Sequence, residues 1–284
     1  MLESCQKLCT SKWLVVCVLA ASAMVLAKPA LRWLDIHVTA EVGKDAIALL
    51  TSDEDWSNLP PLPVSADYGW LKQAGARPLV AHALGEASLP GQNTLPAMER
   101  ALAGGLRLLE LDLWLDDEGR LRCHHGPQAP SDWQPGNCDF STVLQRAVAA
   151  GAYVVPDIKT DFVTTGNALV AQLRSNESAR HVVLQLYRPE HVQMFRAWSQ
   201  LHTLAGPIVT NYIARRSLNH VAVNAARAGI RAFTVPIYRR AAMPEMPDGV
   251  MVFVHPVHNC DDLHDLPKGD GLYLRTALLG DCAP

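Results

Sequence analysis

The chain has 284 residues, of which 49% are hydrophobic and 19% charged, a composition typical of a folded protein with a substantial core. That length fits one large domain or two smaller ones. The formal net charge is -3, and no stripe of lysine and arginine interleaves with aromatic residues. A nucleic-acid partner is therefore not expected.

The N-terminus carries an apolar segment. Residues 1–12 form a short basic stretch with Lys7 and Lys12, and residues 13–27 (WLVVCVLAASAMVLA) contain no charge. This run is short for a membrane span, and it fits a signal-peptide core as well as an uncleaved anchor; a buried core helix is the remaining alternative. With a signal or an anchor, we expect the rest of the chain on the periplasmic or extracellular side, membrane-anchored or exported.

The remaining chain divides by composition. Residues 28–77 include the Pro-rich stretch NLPPLPVSADYGW, which is typical of a linker or a wrapping arm. Residues 78–284 alternate short apolar strands, such as LRLLELDLWL and AYVVPDIKT, with helical patterns such as NTLPAMERALAGG, for which Asn93 or Thr94 is the expected N-cap. About eight such strands predict an α/β fold, a (β/α)8 TIM barrel. No G-x-G-x-x-G opens a helix, which argues against a dinucleotide site.

Polar side chains follow the ends of the predicted strands, where the catalytic groups of such barrels lie. Glu110 and Asp112 are two residues apart on one strand, so their side chains point to the same side. The other strand-end candidates are His82, His125, Asp157 with Lys159, and Gln185 with Tyr187. We expect these side chains to surround one mouth.

This residue set suits a particular chemistry. Three carboxylates without thiolates, Glu110, Asp112 and Asp157, favour a hard divalent cation, Mg²⁺ or Ca²⁺. His82 and His125 are then candidates for the acid and the base that act on a phosphate ester. Because adjacent strand residues face opposite sides, only one of the two neighbouring histidines reaches the site, and we expect His124 to point into packing.

Four cysteines lie beyond the leader. The local pairs Cys123 with Cys138 and Cys260 with Cys282 would each close a modest loop in an oxidising compartment, and four free buried thiols are the alternative. No C-x-x-C occurs, so a zinc site is not indicated.

The stretch AHALG…QNTLPAMERALAGGLRLLELDLWLDDEGRLRCHHG, with the later D-I-K, resembles the glycerophosphodiester phosphodiesterases, which belong to the phosphatidylinositol-phospholipase-C-like TIM-barrel superfamily. The resemblance extends over about residues 78–276, including VFVHPVHN and GLYLRT. It implies that Glu110, Asp112 and Asp157 hold the metal, that His82 and His125 are the acid/base pair, and that Lys159 stabilises developing charge. It further implies a phosphodiester substrate, either a small molecule or a lipid head group, with Gln185 and Tyr187 as candidate substrate contacts.

Several positions depart from the family pattern. The arginine that follows the first histidine is Ala83 here, the Glu before Asn-Thr is Gln92, and the Asp after the second histidine is Gly126. Asp157 in place of Glu resembles the sphingomyelinase-D-like branch, a lyase that forms cyclic phosphates. Two alternatives to hydrolysis therefore remain: such a lyase, or an inactive barrel that binds a phosphorylated ligand.

Overall fold

The protein is represented by a computed structural model, which describes residues 54–73, 77–86, 91–124, 138–210, 218–257, 259–264 and 266–281. The apolar segment 13–27, together with His125 and Cys282, lies outside the described residues, and the predictions made for them stay predictions. Among the helices of the described ranges, none combines the length and the apolar character that crossing a bilayer requires.

Within the described ranges, nine strands form a single sheet in which all neighbours are parallel except one pair. The exception is β3, which pairs with the end of β2 in an antiparallel hairpin. The strands are β1 Leu79–Ala81, β2 Leu108–Leu115, β3 Leu121–Cys123, β4 Tyr153–Ile158, β5 Gln185–Leu186, β6 Ile208–Thr210, β7 Ala232–Pro236, β8 Met251–His255 and β9 Gly271–Leu274.

The sheet curls round on itself. Strand β1 lies between β2 and β9, and the order continues from β9 through β8, β7 and β6 to β5, while β4 pairs with the other side of β2. A parallel bridge between Val154 and Val182 brings β4 beside the segment that leads into β5, and the Val183 amide donates to the Val154 carbonyl at 2.9 Å. The predicted α/β fold with a curled parallel sheet is confirmed.

Helices connect most successive strands. They are α1 Gly69–Gln73, α2 Leu95–Ala103, α3 Phe140–Ala149, α4 Phe162–Gln172, α5 Asn176–Ala179, α6 Pro189–Leu201, α7 Leu218–Arg227, α8 Asp261–His264 and α9 Leu278–Asp281. Between β7 and β8 a 3₁₀ turn, Ile237–Ala242, stands in place of an α-helix. Thr94 is the N-cap of α2, since its hydroxyl accepts from the Ala97 amide, and this leaves Asn93 available for another role.

The floor of the barrel is apolar, and helix α1 packs against it. Trp70 of α1 stacks on Phe253 with ring centroids 5.9 Å apart, and its indole N–H donates to the Gly206 carbonyl at 3.0 Å. The inward-facing residues that pack with Trp70 include Val80, Leu108, Tyr153, Val155, Val183, Ile208, Phe253 and Tyr273. The charged side chains of the predicted site lie above this apolar layer.

Outside the barrel, α4 and α6 approach each other at Gly166. A Cβ added at Gly166 would lie 2.0 Å from the nearest ring atom of Trp198, whose indole N–H donates to Asn167 at 2.8 Å. The absence of a side chain at Gly166 is therefore what permits this helix contact.

We predict that Gly166→Ala destabilises the protein by about 1–3 kcal/mol because the methyl group forces the Trp198 indole out of its site. Alanine ordinarily favours a helix over glycine, so the sign of the effect is diagnostic. Urea unfolding measures it. Gly269→Ala, at a position with no atom within 4 Å of the added Cβ, is the matched control and should leave the free energy of unfolding nearly unchanged.

Candidate active site

Three carboxylates meet where the middle of β2 pairs with the carboxyl end of β4. Asp112 and Asp157 are direct neighbours in the parallel register of these strands, and Glu110 lies one layer below Asp112 on the same face of β2. One oxygen from each of the three lies within 4.8 Å of the others. All three residues are buried, with exposures of 2%, 4% and 5% for Glu110, Asp112 and Asp157.

Burial and mutual repulsion make these carboxylates hard to ionise together. Burial raises the pKa of Glu110 well above its usual value, and the neighbouring charges of Asp112 and Asp157 raise it further. Burial also raises the pKa of Asp157, against the opposing effect of the Lys159 ammonium. A positive charge beside the three carboxylates would therefore stabilise their ionised forms.

Lys159 supplies part of that positive charge. Its Nζ lies 2.9 Å from Asp112 Oδ1 and 2.6 Å from Asp157 Oδ2. Burial alone would lower the pKa of this ammonium, but the Asp157 and Asp112 carboxylates outweigh burial, and the pKa is raised. Lys159 is consequently held in its charged form against two of the three acids.

Two hydrogen-bond donors orient the carboxylates on β2. The Asn93 side chain donates to Asp112 Oδ2 at 2.9 Å and accepts from the Asp112 amide at 3.0 Å. The Ala83 amide donates to Glu110 Oε2 at 2.8 Å. Asn93 is 1% exposed, and its side-chain amide, which was not among the candidate site residues, is part of the site.

The turn His82–Gly85 aims the Ala83 amide at Glu110. Ala83 and Leu84 have φ angles of 48° and 62°, in the left-handed region that is unfavourable for residues with a side chain. The Ala83 carbonyl accepts from the Asn93 amide at 2.9 Å, which ties this turn to the Asp112 contact. Ala83 itself is 2% exposed, and the group that it presents to the carboxylates is its backbone N–H.

Among the described residues, His82 and His255 are the histidines at the mouth, and only His82 was a candidate from the sequence. His82 Nε2 is 3.9 Å from Glu110 Oε2, and the His82 side chain is 30% exposed. His255, at the end of β8, places its Nε2 3.0 Å from His82 Nε2. The sequence signal was the strand-end position of His255, but its proximity to His82 depends on the curl of the sheet.

The two predicted substrate contacts lie at different depths. The Tyr187 hydroxyl donates to Asp157 Oδ1 at 2.7 Å, so Tyr187 orients an acid of the cluster. Gln185 is 1% exposed and accepts from the Thr210 hydroxyl at 2.9 Å. Since Gln185 precedes Tyr187 by two residues, it lies one layer deeper, inside the barrel. Substrate contact by either residue remains a prediction.

The β3 end of the mouth is packed and cross-linked. His124 stacks on Trp114 with ring centroids 5.2 Å apart, in agreement with the packing role expected for it. A disulfide joins Cys123 to Cys138, one of the two local pairs considered from the sequence. Cys260 is also disulfide-bonded.

The donor set fits a hard divalent cation. Among the described residues it consists of three buried carboxylates, with no thiolate or imidazole in the group, which is the oxygen-rich composition that Mg²⁺ and Ca²⁺ prefer. Burial, and after it the charges of Asp112 and Asp157, raise the pKa of Glu110, and a divalent cation would favour the ionised form of all three acids. Glu110, Asp112 and Asp157 are therefore the residues that would hold it.

Comparison with solved structures identifies the fold. The chain is similar to a glycerophosphodiester phosphodiesterase from Parabacteroides distasonis, with 14% identity, a TM-score of 0.54 and coverage of 72% of this chain and 98% of the other. It is also similar to a glycerophosphodiester phosphodiesterase from Thermotoga maritima, with 13% identity, a TM-score of 0.50 and coverage of 72% and 96%. The barrel fold of this enzyme class is thus shared, and the resemblance drawn from the sequence is confirmed at the level of fold.

Sequence comparison alone does not detect this relationship. No family model matches the chain, and no curated protein matches it.

We predict that Lys159→Met lowers the free energy of unfolding by about 3 kcal/mol at neutral pH in the absence of divalent cations, because it leaves buried carboxylates without their ammonium partner. Burial raises the pKa of Glu110 and of Asp157, so these groups take up protons as the pH falls. The deficit should therefore shrink at lower pH.

Denaturant unfolding at several pH values measures this difference between variant and wild type. Lys268→Met, at an exposed lysine, serves as the control and should cost little at any pH. A Lys159→Met deficit that stayed constant from neutral to acidic pH would contradict the electrostatic account.

Proposed function

We propose that this protein is a metal-dependent phosphodiesterase of the glycerophosphodiester phosphodiesterase type, a divergent member of that family, and that it hydrolyses a small or lipid-derived phosphodiester. The observation that carries the proposal is the buried triad Glu110, Asp112 and Asp157 at the mouth of the barrel. His82 lies beside it, in a fold shared with glycerophosphodiester phosphodiesterases.

A divalent cation held by the triad would polarise a phosphoryl oxygen and offset the charge that develops on it. The residues of the chain would do the rest. His82 and His125 would divide the proton transfers: one takes a proton from the attacking water as the new P–O bond forms, and the other protonates the alkoxide as the old P–O bond breaks. Lys159 would stabilise negative charge on the phosphate.

We predict that His82→Ala and His125→Ala each lower kcat for bis(p-nitrophenyl) phosphate, in the presence of Mg²⁺ or Ca²⁺, by about 10²- to 10⁴-fold, the usual contribution of a positioned acid or base. The control is His202→Ala, because His202 follows the C-terminal end of α6 and therefore lies at the opposite end of the barrel. Wild-type turnover in both His82→Ala and His125→Ala would contradict the assignment.

A second assay distinguishes hydrolysis from the two alternatives drawn from the sequence, a lyase and an inactive barrel. Turnover of a lipid-derived phosphodiester in ¹⁸O-labelled water places the label in the product phosphate if water attacks, whereas a lyase releases an unlabelled cyclic phosphate. A barrel that only binds a phosphorylated ligand would give neither product.

We predict that saturating Mg²⁺ or Ca²⁺ raises the melting temperature of the wild type, because an ion that binds only the folded state stabilises it, by about 2.7 kcal/mol at 100 times Kd. Glu110→Gln should abolish this increase. With the divalent cations removed by a chelator, Glu110→Gln should melt no lower than the wild type. The glutamine side chain can still accept from the Ala83 amide, and the substitution removes a buried ionisable group.

Glu245→Gln, at an exposed carboxylate, is the matched control and should retain the full increase in melting temperature. Equal increases in Glu110→Gln and the wild type would contradict cation binding by the triad.

We further propose that residues 13–27 anchor the barrel to a membrane or direct its export to the periplasmic or extracellular side. The Cys123–Cys138 disulfide supports this, because both cysteines are at most 1% exposed and such bonds persist in oxidising compartments. Membrane proximity would also suit a lipid head group as substrate. Cell fractionation, with thiol labelling of the denatured protein, tests the proposal. The protein should be found in the membrane or outside the cytoplasm, with Cys123 and Cys138 oxidised and therefore unlabelled.

A further inference from the structure

His255 has no part in the chemistry proposed above, yet it contacts a residue that does. It ends β8, two strands from the β1 strand that precedes His82. The two Nε2 atoms are 3.0 Å apart, and the rings meet edge to face, with centroids 4.5 Å apart and an interplanar angle of 78°.

A nitrogen–nitrogen distance of 3.0 Å restricts the hydrogens on these rings. At that separation one Nε2 donates and the other accepts. Two N–H groups pointing at each other would clash, and two lone pairs would repel. The contact therefore couples the tautomer of His82 to that of His255.

The surroundings of His82 indicate which ring donates. Glu110 Oε2, a hydrogen-bond acceptor, lies 3.9 Å from His82 Nε2, and an acceptor on that side favours a hydrogen on that nitrogen. His255 is then the acceptor at its own Nε2, with its hydrogen on Nδ1.

His255 is itself rigidly supported. Its ring packs edge-on against Tyr273, with centroids 5.3 Å apart and an interplanar angle of 89°, and Tyr273 is 1% exposed in the barrel interior. The Thr234 hydroxyl donates to the Tyr273 hydroxyl at 3.3 Å. The His255 ring therefore packs on a buried side chain of the barrel interior and does not lie on a surface loop.

We propose that His255 is a positioning residue for His82: it accepts a hydrogen bond from His82 Nε2–H and thereby sets the tautomer and the ring orientation of His82 at the mouth. This role rests on the proposed function of His82 in phosphodiester cleavage. The tautomer that it implies holds whether or not the protein turns over a phosphodiester.

Two variants separate the hydrogen bond from packing. His255→Phe keeps an aromatic edge against Tyr273 but cannot accept, and we expect kcat for bis(p-nitrophenyl) phosphate with Mg²⁺ to fall about 10- to 100-fold, the usual cost of losing a partner that orients a functional side chain. KM should change little. His255→Gln offers a carbonyl oxygen near the position of the lost Nε2 and should recover most of kcat.

The independent readout is the imidazole ¹⁵N spectrum, with His82 assigned through His82→Gln. In the wild type and in His255→Gln, His82 should be the Nε2–H tautomer, and in His255→Phe that preference should weaken. His202→Gln is the control for both measurements and should change neither.

Three results would overturn the proposal: an Nδ1–H tautomer for His82 in the wild type, an unchanged His82 spectrum in His255→Phe, or equal kcat losses in the Phe and Gln variants. A wild type without any turnover would contradict the proposed function instead. The ¹⁵N comparison would then decide alone whether His255 sets the His82 tautomer.

Discussion

The site depends on one electrostatic constraint: three carboxylates share a buried space in which their charges repel. Oxygens of Glu110, Asp112 and Asp157 lie within 4.8 Å of one another, and burial makes each ionised form costly. A fold keeps such a cluster only if cations and hydrogen-bond donors surround it. The groups around the mouth are most simply understood as that compensation.

The compensation comes from separate elements that the barrel brings together. Lys159 follows β4 and contacts two of the acids, while Tyr187, which follows β5, donates to Asp157. The loop between β1 and α2 supplies Asn93 to Asp112 and the Ala83 amide to Glu110. Ala83 adopts a positive φ to make this contact, so local backbone strain accompanies the stabilisation of a buried charge.

The sequence predicted those features of the site that depend on local rules. Alternation along a strand places Glu110 and Asp112 on one face, and the strand-end position of Asp157 places it at the same mouth, so the three carboxylates could be predicted before any coordinates. The direct pairing of β2 with β4 depends on the antiparallel hairpin that β3 forms with β2, which alternation along a strand does not predict. His124 as a packing residue follows from the same alternation, whereas the choice of Thr94 over Asn93 as the cap of α2 comes from the structure.

The remaining features depend on long-range geometry that periodicity does not encode. His255 comes within hydrogen-bond distance of His82 only because β9 pairs with both β1 and β8, a contact between residues 173 positions apart. The depth of Gln185 depends on where the two-residue strand β5 begins in the register with β6. Asn93 hydrogen-bonds Asp112 from a backbone with a positive φ of 55°, a conformation that the sequence did not reveal.

Ala83 stands where the phosphodiesterases that the sequence resembles carry an arginine, and this difference can be judged against the arrangement of the site. An arginine there would place a second cation beside the acids, whereas this chain uses a backbone amide at Glu110 and leaves Lys159 as the ammonium in contact with Asp112 and Asp157. An N–H dipole compensates a carboxylate less fully than a guanidinium does. More negative charge is then left at the mouth, which strengthens the demand for a divalent cation while weakening direct protein contacts to a phosphate. On the proposed function, binding of the phosphodiester would therefore rely more on the metal and on Lys159 than in relatives that carry the arginine.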